Sequence, residues 1–290
     1  QDDMLAMWPS VYPADTVLDI FTYAGAPGAY SLNLGAGAGL WYQKNGWSAS
    51  INYVAENGDG GCPNANGLCA GTTQGGIGTD ASNETFTAQV GYAASNWGAA
   101  VAYTYGNGYY TIGGTPLATG NAAFGDLLGT AIGAQSTNSV GLSAYWQPSV
   151  TGWVPSISAG WGITSYSDVS AAVADTVFAS GIGGVKSQNW YVGLQWADAF
   201  IKGNSAGMAF GQPTFITSFG DLDGTPHDAG YAWEWWYKFQ VTDNISVTPA
   251  LFYLSNPLGQ LGYDQSSFEG KPGSAALTNF GGLVKTTFKF

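Results

Sequence analysis

The stretch DAGYAWEWWYKF, residues 228–239, alternates without a break. Tyr231, Trp233, Trp235, Tyr237 and Phe239 fall on one side, and Glu234, Trp236 and Lys238 on the other. A period of two marks an extended strand whose two faces meet different surroundings. In NISVTPALFYL, Ile245, Val247, Pro249, Leu251 and Tyr253 oppose Ser246, Thr248 and Ala250. In SQNWYVGLQWA, Trp190, Val192, Leu194 and Trp196 oppose Asn189, Tyr191 and Gln195. The pattern returns at 33–43, 46–55, 84–94, 97–105, 137–147, 153–164, 203–211 and 278–290. That predicts about eleven strands of roughly ten residues, the length a tilted membrane-crossing strand needs.

The connections sort into two kinds. Short ones are KN after Gln43, SN at 95–96, PSVTG at 148–152, DAFIK at 198–202 and QVTD at 240–243. They alternate with long ones at 56–83, 106–136, 165–186, 212–227 and 255–277. An up-and-down barrel in an outer membrane has short periplasmic turns and long external loops, whereas a soluble sandwich has no cause to sort them. The second face of each strand is mostly Ser, Thr, Gly, Asn and Gln. Trp97, Trp153 and Trp190 are expected to open strands, and Tyr53, Tyr92 and Trp196 to close them, as girdles at two bilayer interfaces require.

Composition agrees. Charged residues make up 9% of 290, against roughly a quarter in soluble domains. No apolar run reaches the roughly 18 residues of a helical span. The closed barrel is the membrane architecture left, because it pairs every backbone group. A net charge of −12 with scattered lysines and no arginine argues against nucleic acid. Cys62 and Cys69 flank a Gly-, Asn- and Pro-rich loop suited to a small disulfide. Zinc, the rival, would need two more ligands, and the only histidine is His227, far along the chain.

The fold expected is all-β: a transmembrane antiparallel up-and-down barrel, porin-like, of about 16 strands when complete with about eleven in this chain. The last connection is long, so the final strand runs inward and Phe290 ends at the periplasmic rim. The first strand, at 33–43, also runs inward, so the chain begins outside. Bacterial barrels have an even strand count with both ends periplasmic. The expectation is therefore the C-terminal part of a longer barrel, with 1–32 an external or pore-constricting segment and 33–290 the barrel portion.

YKFQVTDNISVTPALFYLSNP followed by FGGLVKTTFKF resembles the C-terminal strands of cyanobacterial outer-membrane porins, the OprB-like carbohydrate-selective family, some of whose members are described as iron-uptake porins. LGAGAGLWYQKNGWSASINYVAENGD is similar to that family's mid-barrel hairpin. The resemblance implies a passive channel for small hydrophilic solutes, with sugars, inorganic ions and iron as candidates. It implies a homotrimer in outer-membrane lipid and lipopolysaccharide, and a terminal aromatic strand read by the barrel-assembly machinery. It also implies early strands of the same protein, preceded by a surface-layer-homology domain that binds cell wall. Two rivals are a plugged barrel anchoring the membrane to the wall and a secreted lectin-like sandwich.

Expected pore-lining residues are Glu234, Trp236, Lys238, Lys285, Lys289, Asn189, Tyr191 and Gln195, with Val284, Phe288 and Phe290 facing lipid. Lys289 could equally be a rim charge. Asp15 and Asp19 would set a negative constriction if 1–32 folds into the pore. The Gly- and Ala-rich LGAGAGL and WGAAVAY are expected to present small outer faces to a neighbouring subunit. GAGAGL runs into a strand and offers no helix to a phosphate. DLDGTPHD, with Asp221, Asp223 and Asp228, begins like a calcium loop, but Ala232 stands where the later acid belongs, leaving a weak divalent-cation site at most. No nucleophile–base pattern supports catalysis, and no cofactor is expected.

Overall fold

The computed structural model describes residues 21, 25–30, 35–55, 84–111, 130–167, 169–173, 176–220, 229–257 and 278–289. Its strands are β1 (Ala36–Lys44), β2 (Trp47–Ala55), β3 (Glu84–Ala93), β4 (Trp97–Thr111), β5 (Thr130–Trp146), β6 (Ser156–Ser167), β7 (Val169–Val173), β8 (Thr176–Ile182), β9 (Val185–Ala197), β10 (Ser205–Phe219), β11 (Ala232–Thr242), β12 (Ile245–Ser255) and β13 (Thr278–Phe288). All belong to one antiparallel sheet, so the lectin-like sandwich is set aside.

Eleven strands follow one another in the sheet as they do in the chain, the order running β1 to β6 and then β9 to β13. The remaining two form a hairpin inside the connection expected to be a plain loop at 165–186. β7 pairs with β8 on one side and with residues 130–133 of β5 on the other. β4 and β5 are correspondingly longer than the alternation predicted. β1 and β13 are the two edges and do not pair with each other. Among the described residues the sheet is thus an uninterrupted wall with two open ends.

Turn chemistry explains the tightest connection. Asn45 and Gly46 both have positive φ, 53° and 82°, and Lys44 pairs directly with Trp47. That is the two-residue hairpin for which Asn-Gly is the preferred pair. Two prolines sit inside strands. The register between β9 and β10 shifts between Gln212 and Phe215, around Pro213. On β12, Pro249 faces Val284 of β13, while pairing with β11 is interrupted between Trp236–Ala250 and Phe239–Val247. A proline donates nothing to a ladder, and the ladder gives way where it stands.

Cross-strand partners share a face, so the register sorts side chains into rows. On one face, Tyr53, Phe86 and Tyr105 make a row near the long connections. Phe210, Trp233, Tyr253 and Phe280 make another. Near the short turns the same face carries Trp47 against Tyr92 and Trp97 against Trp146. Between them lie exposed Ile51, Val90, Val101 and Leu142. From Trp47 to Tyr53 the strand rises roughly 20 Å, which fits within an outward apolar band about 25 Å tall.

Three expectations need correction. Trp153 opens no strand: it stands 96% exposed in the connection before β6, its carbonyl accepting a 2.9 Å hydrogen bond from Trp196 Nε1. Trp190 lies well inside β9, which begins at Val185. The small residues are mostly not on the outer face. Gly37 and Gly39 pair with Val54 and Asn52, and Gly98, Ala100 and Ala102 are buried on the opposite face. Of these, Ala102 packs against Ala26, Ala29 and Tyr30.

Candidate functional site: the polar face of the sheet

The other face of the wall is polar and nearly free of charge. One row runs across six strands through Asn52, Thr87, Thr104, Ser139, Thr164 and Ser187. Its hydroxyls link neighbouring strands: Thr87 Oγ1 lies 2.9 Å from Thr104 Oγ1, and Ser139 Oγ 2.9 Å from Thr164 Oγ1. Another row holds Ser50, Gln89, Ala102, Gly141, Gly162 and Asn189. The sequence reading named β9 residues on this face but not the matching rows on β2 to β6, although the same alternation of Ser and Thr marks them.

Residues 25–30 lie against this face, which is therefore the inner one. The segment closes a turn in which Ala29 N and Tyr30 N both donate to Ala26 O, at 3.0 and 3.1 Å. Thr104 Oγ1 donates to Ala29 O at 2.5 Å. The fit depends on missing side chains. A Cβ at Gly141 would come within 2.7 Å of Ala26 Cβ, and one at Gly162 within 2.9 Å of Ala26 Cα. Ala26, Ala29, Tyr30 and Ala102 form one buried cluster. Burial pushes the Tyr30 phenol above its ordinary value. Phe21 packs with Tyr191, Trp236, Ala209, Ala232 and Ala250 in a second cluster.

The expected lining residues fall as follows. Asn189, Tyr191 and Gln195 lie on the inner face of β9, opposite Gly162, Gly160 and Ser156. Tyr191 also faces Gly211 of β10, where any Cβ would approach its Cα to 2.8 Å. Glu234, Trp236 and Lys238 share the inner face of β11, opposite Ala209, Gly207 and Ser205. Trp236 lies over Gly207, where a Cβ would be 2.2 Å from its ring. Glu234 is 0% exposed and Lys238 half-buried. Four residues of strand, roughly 13 Å, separate them. Lys285 faces Thr248 and so lies on the inner side, while Val284 and Phe288, opposite Pro249 and Ile245, lie on the outer. Lys289 is past the end of β13, its N–H bound to Asn244 O in the neighbouring turn. Asp15, Asp19, Cys62, Cys69, Asp221, Asp223 and Asp228 lie outside the described residues.

An aromatic-girdled outer face, a hydroxyl-lined inner face and an up-and-down order make the wall of a porin barrel. The sequence profile of the carbohydrate-selective porins of the OprB family matches residues 121–290, more than half of the chain. The chain belongs to the OprB family. Among curated relatives, an uncharacterized protein of Synechocystis is 27% identical over 269 residues, 88% of this chain and 43% of that protein. An uncharacterized protein of Nostoc is 32% identical over 168 residues, 54% of this chain and 26% of that protein. The chain thus spans less than half the length of these curated relatives. An anion-selective porin from Comamonas acidovorans aligns over 87% of this chain and 58% of its own, with a TM-score of 0.52 at 13% identity, a likeness of fold alone.

Proposed function

We propose that this OprB-family chain forms most of the wall of a passive outer-membrane channel for small hydrophilic solutes. The observation that carries the reading is the chemistry of the inner face. Six adjacent strands present hydroxyls and amides there, groups that can replace water around a neutral polyol without binding it tightly. Glu234, Lys238 and Lys285 supply the charges of that face on β11 and β13, and Lys289 sits at the rim. Sugars, inorganic ions and iron are the candidate solutes. The open edges β1 and β13 support the reading that further strands of the same protein, about five, complete a 16-stranded barrel. Unpaired backbone at an edge is not tolerated in lipid.

Within this reading, residues 1–32 are an external or pore-constricting segment, Asp15 and Asp19 favouring cations in the second case, and 33–290 form the barrel portion. The C-terminus lies at the periplasmic side, homotrimers sit among lipopolysaccharide, and the closing strand is read by the assembly machinery. A second reading, a plugged barrel serving as an anchor, is favoured by the seating of residues 25–30 on the inner face. Planar-bilayer recording separates the two. A channel gives steady unitary currents that a permeant sugar reduces in a concentration-dependent way. A barrel without steady current in the presence of sugar, phosphate or Fe³⁺ would sink the channel reading.

A further inference from the structure

Several buried polar groups on the inner face gain nothing from the segment that covers them. The Gln89 side chain is 4% exposed, and neither its amide nitrogen nor its oxygen has a hydrogen-bond partner among the described residues. Asn189, 5% exposed, leaves Nδ2 in the same state, as does the buried Trp236 with Nε1. All three border the seated chain. Gln89 is next to Ala102 in the row on which Ala26 and Ala29 rest, the Asn189 amide oxygen meets the space beside Gly162, and Trp236 packs with Phe21. A buried polar group without a partner costs free energy that water would return. Opposing this is a seat built from Ala26, Gly28, Ala29, Tyr30 and Phe21, small apart from the two rings.

We propose that the segment around 26–30 is a displaceable plug with two states. In one it is seated on Ala102, Gly141 and Gly162. In the other it is withdrawn, and the inner-face amides of Gln89 and Asn189 are hydrated and open to solutes bearing hydroxyl groups. The two states balance because apolar contact favours the first and hydration of the amides favours the second. The proposal rests on the channel reading and adds to it a regulated cross-section.

The geometry supplies its own lock. A Cβ at Gly28 would stand 3.5 Å from Ser139 Cβ, at the short end of the roughly 3.5–4.5 Å range for a disulfide. Thr164 Oγ1, 2.3 Å from that same Cβ, must be removed. The test uses the intact barrel carrying Gly28→Cys, Ser139→Cys and Thr164→Ala, in a background with Cys62→Ser and Cys69→Ser, recorded in planar bilayers before and after a reducing agent. The expected result is two conductance levels in the unlocked protein, loss of the larger level when oxidised, and its return on reduction. A second variant, Gly141→Val, unseats Ala26 and is expected to hold the larger level. Identical currents before and after reduction, with the disulfide confirmed by mass, would overturn the plug. So would a folded barrel in which the disulfide does not form, or a Gly141→Val channel indistinguishable from the parent. Absence of current in every form would instead overturn the channel reading itself.

Discussion

Lys285 and Val284 are neighbours in sequence and stand on opposite faces of the same strand, because β13 pairs Lys285 with Thr248 and Val284 with Pro249. Under the channel reading the Lys285 charge faces the pore. Lys285→Glu is expected to raise the ratio of cation to anion permeability, read as a shift in reversal potential across a KCl gradient. An unchanged potential would remove Lys285 from the pore. Trp236 illustrates a different dependence. Its ring lies over Gly207, and Trp236→Ala would empty that place as well as the packing under Phe21. The expected loss is about 3–5 kcal/mol of stability, measured by urea unfolding in detergent, with Gly207→Val destabilising through the same contact from the other side. The alternation alone put Trp236 on the polar face. Why an indole belongs there was not legible, since its glycine partner is 29 positions away in the chain and meets it only through the pairing of β10 with β11.

At the scale of elements, the outer rows and the inner rows call for opposite tolerance. Val284→Lys puts a charge on the outer face of β13 and is expected to cost about 2–4 kcal/mol if that position is near the bilayer midplane. Thr248→Lys, on the inner face of β12, should cost far less. Equal effects in an unfolding assay in lipid vesicles would contradict the assignment of faces. Strand positions were legible because period two is a local property, and most predicted boundaries fall within a few residues of the observed ones. The β7–β8 hairpin was not legible. Its first strand is stabilised by β5, more than thirty residues earlier, and short Ala-rich strands carry a weak pattern of their own.

For the whole molecule, the up-and-down order gathers the connections at two ends, and the charges divide with them. By sequence, Glu56, Asp59, Asp80, Asp126, Asp168, Asp175, Asp221, Asp223, Asp228, Asp264 and Glu269 belong to the long connections, with Lys271 as the one lysine among them. The short-turn end carries Asp198 and Asp243 against Lys44, Lys202 and Lys289. Under the channel reading, acids carried by these connections at one mouth of the pore concentrate cations there, and salt screens them over about 10 Å at 0.1 M. Cation preference is therefore expected to fall as KCl rises from about 0.1 M to 1 M, where the screening length is about 3 Å. A preference independent of salt would locate selectivity in the pore wall instead.

The sequence by itself determined the eleven strands of the main path, their two faces and the alternation of short and long connections, because each follows from side-chain period and turn chemistry within a few neighbouring residues. The tertiary structure decided what the small residues are for. Gly141, Gly162 and Ala102 come together only when β4, β5 and β6 are in register, and they are empty space that residues 25–30 fill. An absent side chain leaves no periodic mark, and its purpose appears only in whatever occupies the room it leaves.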